Sequence, residues 1–157
     1  PKRGETFVTR KITKALARIE KGLQEVVVMG NINSIRDWGH AKDYVEMQWR
    51  MLQQPEPDDY VIATGKEASV REFIEICAKE IGWGGIKWEG NGISEIGKRK
   101  DNNQTIIKIS EKYFRPAEVN SLLGNPEKAY NKLGWKPKIS LNELAAEMLN
   151  HDIKLLN

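Results

Sequence analysis

The stretch DYVIATGKEASVREFIEICAKEIGWGGIKWEG, residues 59–90, decides the fold class of this 157-residue chain. DYVIATG is rich in β-branched and aromatic residues and ends in glycine, which predicts a strand. Ser69 with Glu72 three residues later forms a capping box, which predicts a helix that runs to Gly82. GIKWEG then predicts a second strand. This strand–helix–strand order is typical of an α/β protein.

Strands and amphipathic helices alternate through the rest of the chain as well. The polar, glycine-containing segment NGISEIGKRKDNNQT predicts a loop that is mobile or held by a partner. The order fits a parallel-type sheet with covering helices. The remaining predicted elements are helices over TRKITKALARIEKG and AKDYVEMQWRMLQQ, strands over EVVVMG and IIKIS, and two late helices, one capped by Asn125 with Pro126 at its first position and one capped by Ser140 with Glu143.

Three side chains are expected in the interior. In the helix predicted over 41–54, Val45, Trp49 and Leu52 form one apolar stripe with Ala41, and Trp49 and Trp135 are expected to be core residues. Cys77, the single cysteine, falls on the apolar face of its helix, so one chain can form neither a disulfide nor a zinc cluster. A reducing cytoplasm is therefore the expected location.

The composition limits the class of ligand. The apolar fraction of 39% and charged fraction of 30% predict a folded, soluble domain with a modest core, and no apolar run approaches the roughly 18 residues that span a bilayer. The formal charge of +3 comes from basic residues spread along the chain. That distribution favours a small anionic ligand over a nucleic-acid backbone or a membrane surface.

Several catalytic and cofactor motifs are missing from the sequence. GNGISEIG places Glu95 where the third glycine of a dinucleotide-binding loop should stand, and no periodic helix follows it. There is no Gly-x-Ser-x-Gly elbow and no Walker loop, no tyrosine is followed four residues later by lysine, and His40 and His151 have no metal partner at ligand spacing. No catalytic residue is therefore assigned.

Four cationic side chains are candidates for gripping an anion: Arg3, Lys11, Arg36 and Arg115. Arg115 is followed by Pro116, which favours an extended backbone at the arginine, and Arg36 follows a predicted strand and precedes a predicted helix. Together they fit a diphosphate site, although each alone fits a surface salt bridge equally well. A carboxylate such as Glu118 can accept paired hydrogen bonds from ribose hydroxyls, or it can simply favour the first turn of a helix.

Longer strings show a family resemblance. PKRGETFVTRKITKALARI, GNINSIRDWGHAKDYVEMQWRMLQQ, DYVIATG, YFRPAEV and GNPEKAYNKLGWKP closely resemble the GDP-mannose 4,6-dehydratase family, part of the extended short-chain dehydrogenase group that modifies nucleotide sugars. The resemblance covers nearly the whole chain, but only the C-terminal half of such an enzyme. It implies that residues 1–157 are a substrate-binding portion, and that the Rossmann half with the Thr/Glu acid–base residues and the Tyr-x-x-x-Lys pair is absent.

The resemblance also implies an activity and residue roles. Members of the family use tightly bound NADP to remove a hydride from C4 of GDP-mannose, eliminate water across C5 and C6, and return the hydride to C6, yielding GDP-4-keto-6-deoxymannose for GDP-fucose biosynthesis. By this likeness Arg3 contacts NADP, and Glu118 holds the GDP ribose. Arg36 and Arg115 clamp the diphosphate, and the residues that pass along the substrate are Val8, Thr9 and Lys11.

Three further expectations complete this interpretation. The partners implied by the resemblance are GDP-mannose, the N-terminal half of the same enzyme and further copies in a dimer or tetramer, and the portion alone should be inactive. A reductase or epimerase acting on another GDP-sugar is the nearest alternative. A basic RNA-binding module is an alternative from a different class, suggested by the sequence pI of 9.0, the Lys-Arg-Lys run at 98–100 and tryptophan on the surface.

Overall fold

The computed structural model describes residues 1–113, Val119 and residues 121–157, and it confirms a mixed α/β chain. Two single 3₁₀ turns, Gly92–Ser94 and Glu111–Tyr113, lie among the regular elements. The helices are α1 Val8–Glu20, α2 Ala41–Leu52, α3 Val70–Ile81, α4 Glu127–Leu133 and α5 Leu141–Lys154. The strands are β1 Val27–Met29, β2 Ile35–Arg36, β3 Ala68–Ser69, β4 Ile86–Glu89, β5 Ile96–Arg99 and β6 Thr105–Ile109.

The main sheet has the strand order β1-β6-β5-β4. Only the β1–β6 pair is parallel, whereas β6–β5 and β5–β4 are antiparallel, so the expectation of a parallel-type sheet holds for one pair alone. Strands β2 and β3 form a separate antiparallel pair. Helices α1 and α3 contact the main sheet, and α5 packs on both of them, so the core lies between these layers.

The segment predicted to be a loop, residues 91–105, instead contains β5. The prediction was wrong because Gly97 suggests a loop in the sequence, whereas in the fold it permits a close approach between strands. A Cβ at Gly97 would lie 2.9 Å from the Trp88 ring and 3.1 Å from Ile107 Cβ. The glycine therefore lets β5 pass between its neighbours instead of ending the sheet.

The segment DYVIATG, predicted to be a strand, forms none. Residues 60–63 run without regular structure, and neither their amides nor their carbonyls bond to any residue that the structure describes. Alternate side chains nevertheless face opposite ways, because Tyr60 and Ile62 pack beside Trp135 while Ala63 lies against Gly124. The segment has the composition and alternation of a strand and lacks a strand beside it.

The predicted helix caps are largely confirmed. Complete capping boxes form at both sites, Ser69 with Glu72 at the start of α3 and Ser140 with Glu143 at the start of α5. At α4 the Asn125 side chain accepts a hydrogen bond from the Glu127 amide at 2.9 Å, and the helix begins one residue later than predicted. These short-range patterns need no tertiary partner, which explains why the sequence predicts them well.

The core assignment was correct for Trp135 and wrong for Trp49. Trp135 is 1% exposed and donates its indole N–H to the Asp43 carbonyl, whereas Trp49 is 61% exposed. The reason is that α2 is apolar on two sides, and it turns Met47, not Trp49, toward Trp135. Periodicity alone does not say which of two apolar faces is buried.

Cys77 is fully buried in α3, as predicted, and burial raises the pKa of its thiol to about 12. We expect native protein to resist iodoacetamide at pH 8, because only the thiolate attacks, and to be alkylated rapidly once unfolded in guanidinium. In the unfolded chain the thiol has a pKa of about 8.5. As pH rises from there toward 12, the unfolded thiol loses its proton while the buried one keeps it, so the free energy of unfolding falls. Mass spectrometry of timed samples measures the labelling, and equal rates for folded and unfolded protein would contradict the burial.

Candidate functional site

The candidate site lies where the parallel strands β1 and β6 end side by side. Met29 pairs with Ile109, and the Ser110 amide extends the ladder by donating to the Met29 carbonyl at 2.9 Å. Because these strands run in the same direction, the segments that follow them leave from one edge of the sheet. That edge is where α/β folds place ligands.

Gly30 and Tyr113 bring these two outgoing segments into contact. A Cβ on Gly30 would lie 2.2 Å from the Tyr113 carbonyl oxygen, closer than any side chain allows. Glycine is thus required at the end of β1 so that the chain after β6 can pass directly over it. Nothing near Tyr113 in the sequence indicates this packing role.

Lys11 is held at the same edge. Its ammonium donates to the Val28 carbonyl at 2.6 Å and lies 4.3 Å from the centroid of the Tyr113 ring. Burial lowers the pKa of Lys11 below its ordinary value. The predicted substrate residue is therefore a partly desolvated cation, and electrostatic contacts from such a group are stronger than from one in bulk water.

An open groove with a volume of about 430 Å³ runs beside Lys11. Lys11, Lys14 and Arg18 line it from α1, and Lys14 forms an ion pair of 2.5 Å with Glu5, which lowers the pKa of that carboxyl group. The groove is thus predominantly cationic. Among the described residues Glu5 is the one acidic residue that lines it, and its other lining residues are Ala15, Gln24, Val26, Val27, Val28 and Tyr113.

Sequence reasoning overlooked Lys14 and Arg18, although a signal was available. Together with Lys11 they stand at positions i, i+3 and i+7 of one helix, a spacing that places side chains on a single face. The structure brings all three to one groove.

Arg36 ends β2 and faces the chain that follows β6. Its guanidinium donates to the Ile35 and Val119 carbonyls, each at 2.7 Å, and the neighbouring Asp37 amide donates to the Leu122 carbonyl at 3.1 Å. Two residues of the segment after β1 are therefore tied to the segment after β6. The role of Arg36 in binding a diphosphate stays a prediction.

The other two members of the predicted clamp, Arg115 and Glu118, lie outside the described residues. Val119 directly follows Glu118 in the sequence. The contact between Arg36 and the Val119 carbonyl thus involves the residue that follows Glu118 in the sequence. The convergence of the two arginines on one diphosphate stays a prediction.

Asp37 and Asp43 have structural roles. The Asp37 carboxylate accepts from the Thr64 amide and hydroxyl and from the Gly65 amide, at 2.6 to 3.1 Å. Asp43 accepts from the amides of Lys138 and Ile139, both at 3.0 Å. These carboxylates hold the loops around α2 in place, and they are already occupied by protein donors.

His40 caps α2. Its Nδ1 accepts from the Lys42 amide at 3.0 Å, and its Nε2 lies 3.0 Å from a Glu147 carboxylate oxygen on α5. The ring is thereby bonded through both nitrogens. Within the described residues no group of three or more His, Cys, Asp and Glu side chains is arranged to hold a metal ion.

The remaining predicted residues lie at the start of α1. Val8 and Thr9 form its first turn and are half-buried, so they flank Lys11 along the same helix. Arg3 is exposed, and its guanidinium carbon stands 3.7 Å from the centroid of the Phe7 ring. None of the helices in the described part of the chain has the length and apolar character needed to cross a lipid bilayer.

The fold is shared with solved structures of enzymes that carry nicotinamide cofactors. The RMD protein of Pseudomonas aeruginosa, solved with NADPH, is 22% identical and superposes with a TM-score of 0.78 over 99% of this chain and 45% of that one. A dTDP-glucose 4,6-dehydratase from Bacillus anthracis, solved with NAD, is 17% identical with a TM-score of 0.70 over 96% and 40%. This chain therefore has the same mixed α/β fold as these structures.

Sequence comparison then identifies the family. The family model described as GDP-mannose 4,6 dehydratase matches residues 1–148, and the chain belongs to that family. It is 55% identical to GDP-mannose 4,6 dehydratase 2 of Caenorhabditis elegans, over 99% of this chain and 40% of that protein. The corresponding enzyme of Vibrio cholerae is 52% identical, over 99% and 44%. The chain thus spans about two fifths of its relatives' length and corresponds to their C-terminal part.

Proposed function

We propose that this chain is the nucleotide-sugar-binding portion of a GDP-mannose 4,6-dehydratase, the enzyme that converts GDP-mannose to GDP-4-keto-6-deoxymannose and water. One observation carries the proposal. The parallel β1–β6 pair sends two segments from one edge, and Arg36 on the first donates to Val119 on the second, next to the predicted clamp residues. Family membership supports the same conclusion.

In this proposal the portion grips the GDP end of the substrate. Arg36 and Arg115 pair with the diphosphate, because a planar guanidinium matches two phosphate oxygens at once. Glu118 accepts hydrogen bonds from the ribose hydroxyls, and Val8, Thr9 and Lys11 line the path along α1. Binding energy from these remote groups positions the sugar for chemistry elsewhere in the enzyme.

The cofactor in the proposal is NADP, which supplies hydride transfer when it is bound. Arg3 is the residue of this chain that would contact it. Its exposed guanidinium, stacked on Phe7, can still donate to a phosphate oxygen, so it fits that role. The remaining cofactor contacts belong to an N-terminal portion like that of the relatives.

The proposed partners are GDP-mannose, that N-terminal portion and further copies in a homodimer or homotetramer. The proposed location is the cytoplasm, since a single cysteine with a fully buried thiol suits a reducing compartment. A GDP-sugar reductase or epimerase is the second candidate, because UDP-glucose 4-epimerase of Thermotoga maritima shares the fold with a TM-score of 0.69. The identities of 47 to 55% to dehydratases favour the first.

The RNA-binding alternative loses its main support. Stacking proteins interleave aromatic and basic side chains on one face. Trp49 is the one tryptophan that is more than half exposed, and its neighbours on that side of α2 are Val45 and Leu52. That surface is apolar and not basic, so it lacks the charges that a nucleic-acid backbone requires.

Calorimetry on residues 1–157 tests the proposal. We expect weak binding of GDP and still weaker binding of UDP. In a separate activity assay, the chain should not turn over GDP-mannose in the presence of NADP. Arg115→Ala should weaken GDP binding roughly 10- to 150-fold, the equivalent of a charge-assisted contact of about 1.5 to 3 kcal/mol. Lys112→Ala is the matched control, because it removes an exposed cation only three residues away.

Two outcomes would contradict this proposal. Dehydration of GDP-mannose by the purified chain alone would show that catalytic groups lie within residues 1–157. Binding of RNA that falls steeply with salt, together with equal heats for GDP and UDP, would favour the basic module instead.

A further inference from the structure

The carboxylate of Asp37 is bonded through both of its oxygens to one turn of the chain. Its Oδ1 accepts from the Thr64 hydroxyl at 2.6 Å and from the Thr64 amide at 2.9 Å. Its Oδ2 accepts from the Gly65 amide at 2.9 Å and lies 3.1 Å from the Thr64 amide nitrogen. Hydrogen bonds to a charged acceptor are stronger than those between neutral groups, so Asp37 holds this turn firmly.

The Thr64 turn, residues 63–65, is itself packed against the chain that follows β6. A Cβ at Gly124 would lie 2.3 Å from the Ala63 Cβ, closer than side chains allow, so the two backbones are in direct contact. The Asp37 amide donates to the Leu122 carbonyl of the same passing segment at 3.1 Å. Asp37 therefore joins its own loop to the Thr64 turn through its side chain and to the chain after β6 through its backbone.

Arg36 is the residue whose backbone these contacts hold. It directly precedes Asp37, and its guanidinium donates to the Val119 carbonyl. On the other side of Asp37, the Trp38 ring packs edge-on against Phe73 with ring centroids 5.4 Å apart. A side chain that extends from a fixed backbone loses less conformational entropy when it binds a ligand, so this anchoring favours binding by the arginine.

The charge of Asp37 is opposite to the charge that an anion site requires. In the proposed function Arg36 pairs with a diphosphate, and a carboxylate one residue away repels that group electrostatically. The hydrogen bonds to the Thr64 turn offer a compensating gain, because they keep the backbone of Arg36 in one place. Positioning and repulsion therefore predict opposite changes in substrate affinity when the charge is removed.

We propose that Asp37 is a positioning residue for Arg36. It fixes the arginine against the Thr64 turn for contact with the diphosphate, and it does not touch the substrate itself. The inference rests on the proposed function, in which Arg36 grips GDP-mannose. It adds Asp37 and Thr64 to the residues that control substrate affinity.

Asp37→Asn tests the proposal in a chimera that joins the N-terminal portion of the Vibrio cholerae relative to residues 1–157. Asparagine keeps the shape of the side chain but places an NH2 group where the donors of the Thr64 turn require an acceptor. We expect KM for GDP-mannose to rise about 10-fold with kcat unchanged, the equivalent of one charge-assisted hydrogen bond. Asp43→Asn is the matched control and should leave KM unchanged. Its Oδ2 alone accepts from both loop amides, so an asparagine carbonyl can replace it.

A double-mutant cycle with Arg36→Ala separates positioning from a general effect on the fold. If Asp37 acts through Arg36, Asp37→Asn no longer raises KM once the arginine is gone. Thr64→Val removes the hydroxyl but keeps the amide bonds, and it should raise KM at least about 3-fold. Thr64→Ser keeps the hydroxyl and should bring KM close to that of the unmodified chimera. Circular dichroism monitors folding, and the two Thr64 variants decide the question by themselves if Asp37→Asn does not fold.

Three results would overturn this inference and leave the proposed function standing, provided that Arg36→Ala raises KM. The first is a KM that falls or stays unchanged in Asp37→Asn. The second is an equal rise caused by Asp37→Asn with and without Arg36, because Asp37 would then act by another route. The third is an equal KM for Thr64→Val and Thr64→Ser. An unchanged KM in Arg36→Ala would count against both the diphosphate clamp and the positioning role.

Discussion

Asp152→Ala is expected to destabilise this protein more than any other single change considered, by about 3 to 5 kcal/mol. Asp152 is 3% exposed and joins α5 to α1 through two contacts: its Oδ1 lies 2.8 Å from the Arg10 guanidinium, and its Oδ2 accepts from the Thr13 hydroxyl at 2.7 Å. Removing the carboxylate leaves a buried guanidinium without its counter-charge. Such a loss is a large share of the 5 to 15 kcal/mol that stabilises a typical domain.

Arg10 makes this effect severe because it has few other acceptors. It is 7% exposed, donates to the Pro1 carbonyl, and its Nε has no hydrogen-bond partner among the described atoms. Thr13→Val is the control, since it deletes only the hydroxyl bond and should cost about 1 kcal/mol. Urea unfolding followed by circular dichroism measures both variants. A loss of under 1 kcal/mol for Asp152→Ala would show that the ion pair does not hold the two helices together.

Two substitutions, Arg36→Ala and Arg115→Ala, should each raise KM for GDP-mannose roughly 10- to 150-fold. Both are made in a chimera that joins the N-terminal portion of the Vibrio cholerae relative to residues 1–157. Each removes one charge-assisted contact to the diphosphate, worth about 1.5 to 3 kcal/mol. Because both contacts would serve one ligand group, the loss of binding free energy in the double variant should differ from the sum of the two single losses by about 0.5 kcal/mol or more. Steady-state kinetics of the unmodified chimera, the two single variants and the double variant completes this double-mutant cycle.

Two controls separate gripping the substrate from supporting the fold. Lys79→Ala removes an exposed cation on α3, far along the chain from both arginines, and should leave KM unchanged. Arg36→Lys keeps the charge but not the planar fork, so it should recover only part of the affinity. Strictly additive effects of Arg36→Ala and Arg115→Ala would contradict a shared diphosphate, and an unchanged KM for Arg115→Ala would indicate a surface role.

The candidate site could be predicted only in part. The resemblance pointed to Lys11 and Arg36. In the structure Lys11 lies against the Val28 carbonyl of β1, and Arg36 of β2 donates to the Val119 carbonyl. Their roles in binding substrate stay predictions. The resemblance could not indicate the contact between Gly30 and Tyr113, because residues more than 80 positions apart meet there only after the two strands pair. The roles of Arg115 and Glu118 stay predictions.

By itself, the sequence determined the features that depend on a few neighbouring residues. The capping boxes at Ser69 and Ser140, the helical periodicity and the buried position of Cys77 all follow from side chains within one or two turns. The family likeness belongs here too, because long strings such as RDWGHAKDYV are specific without any fold.

Only the tertiary structure decided which apolar face is covered and which extended segment becomes a strand. Trp49 and Met47 lie on one helix with similar apolar character, and only packing against Trp135 selects Met47 for the core. The sequence predicts a strand over residues 60–63 and a loop over 96–99. In the structure only the second segment is hydrogen-bonded to a described strand on each side. A strand is stabilised by hydrogen bonds to a neighbour remote in sequence, so local residue preference cannot determine whether it forms.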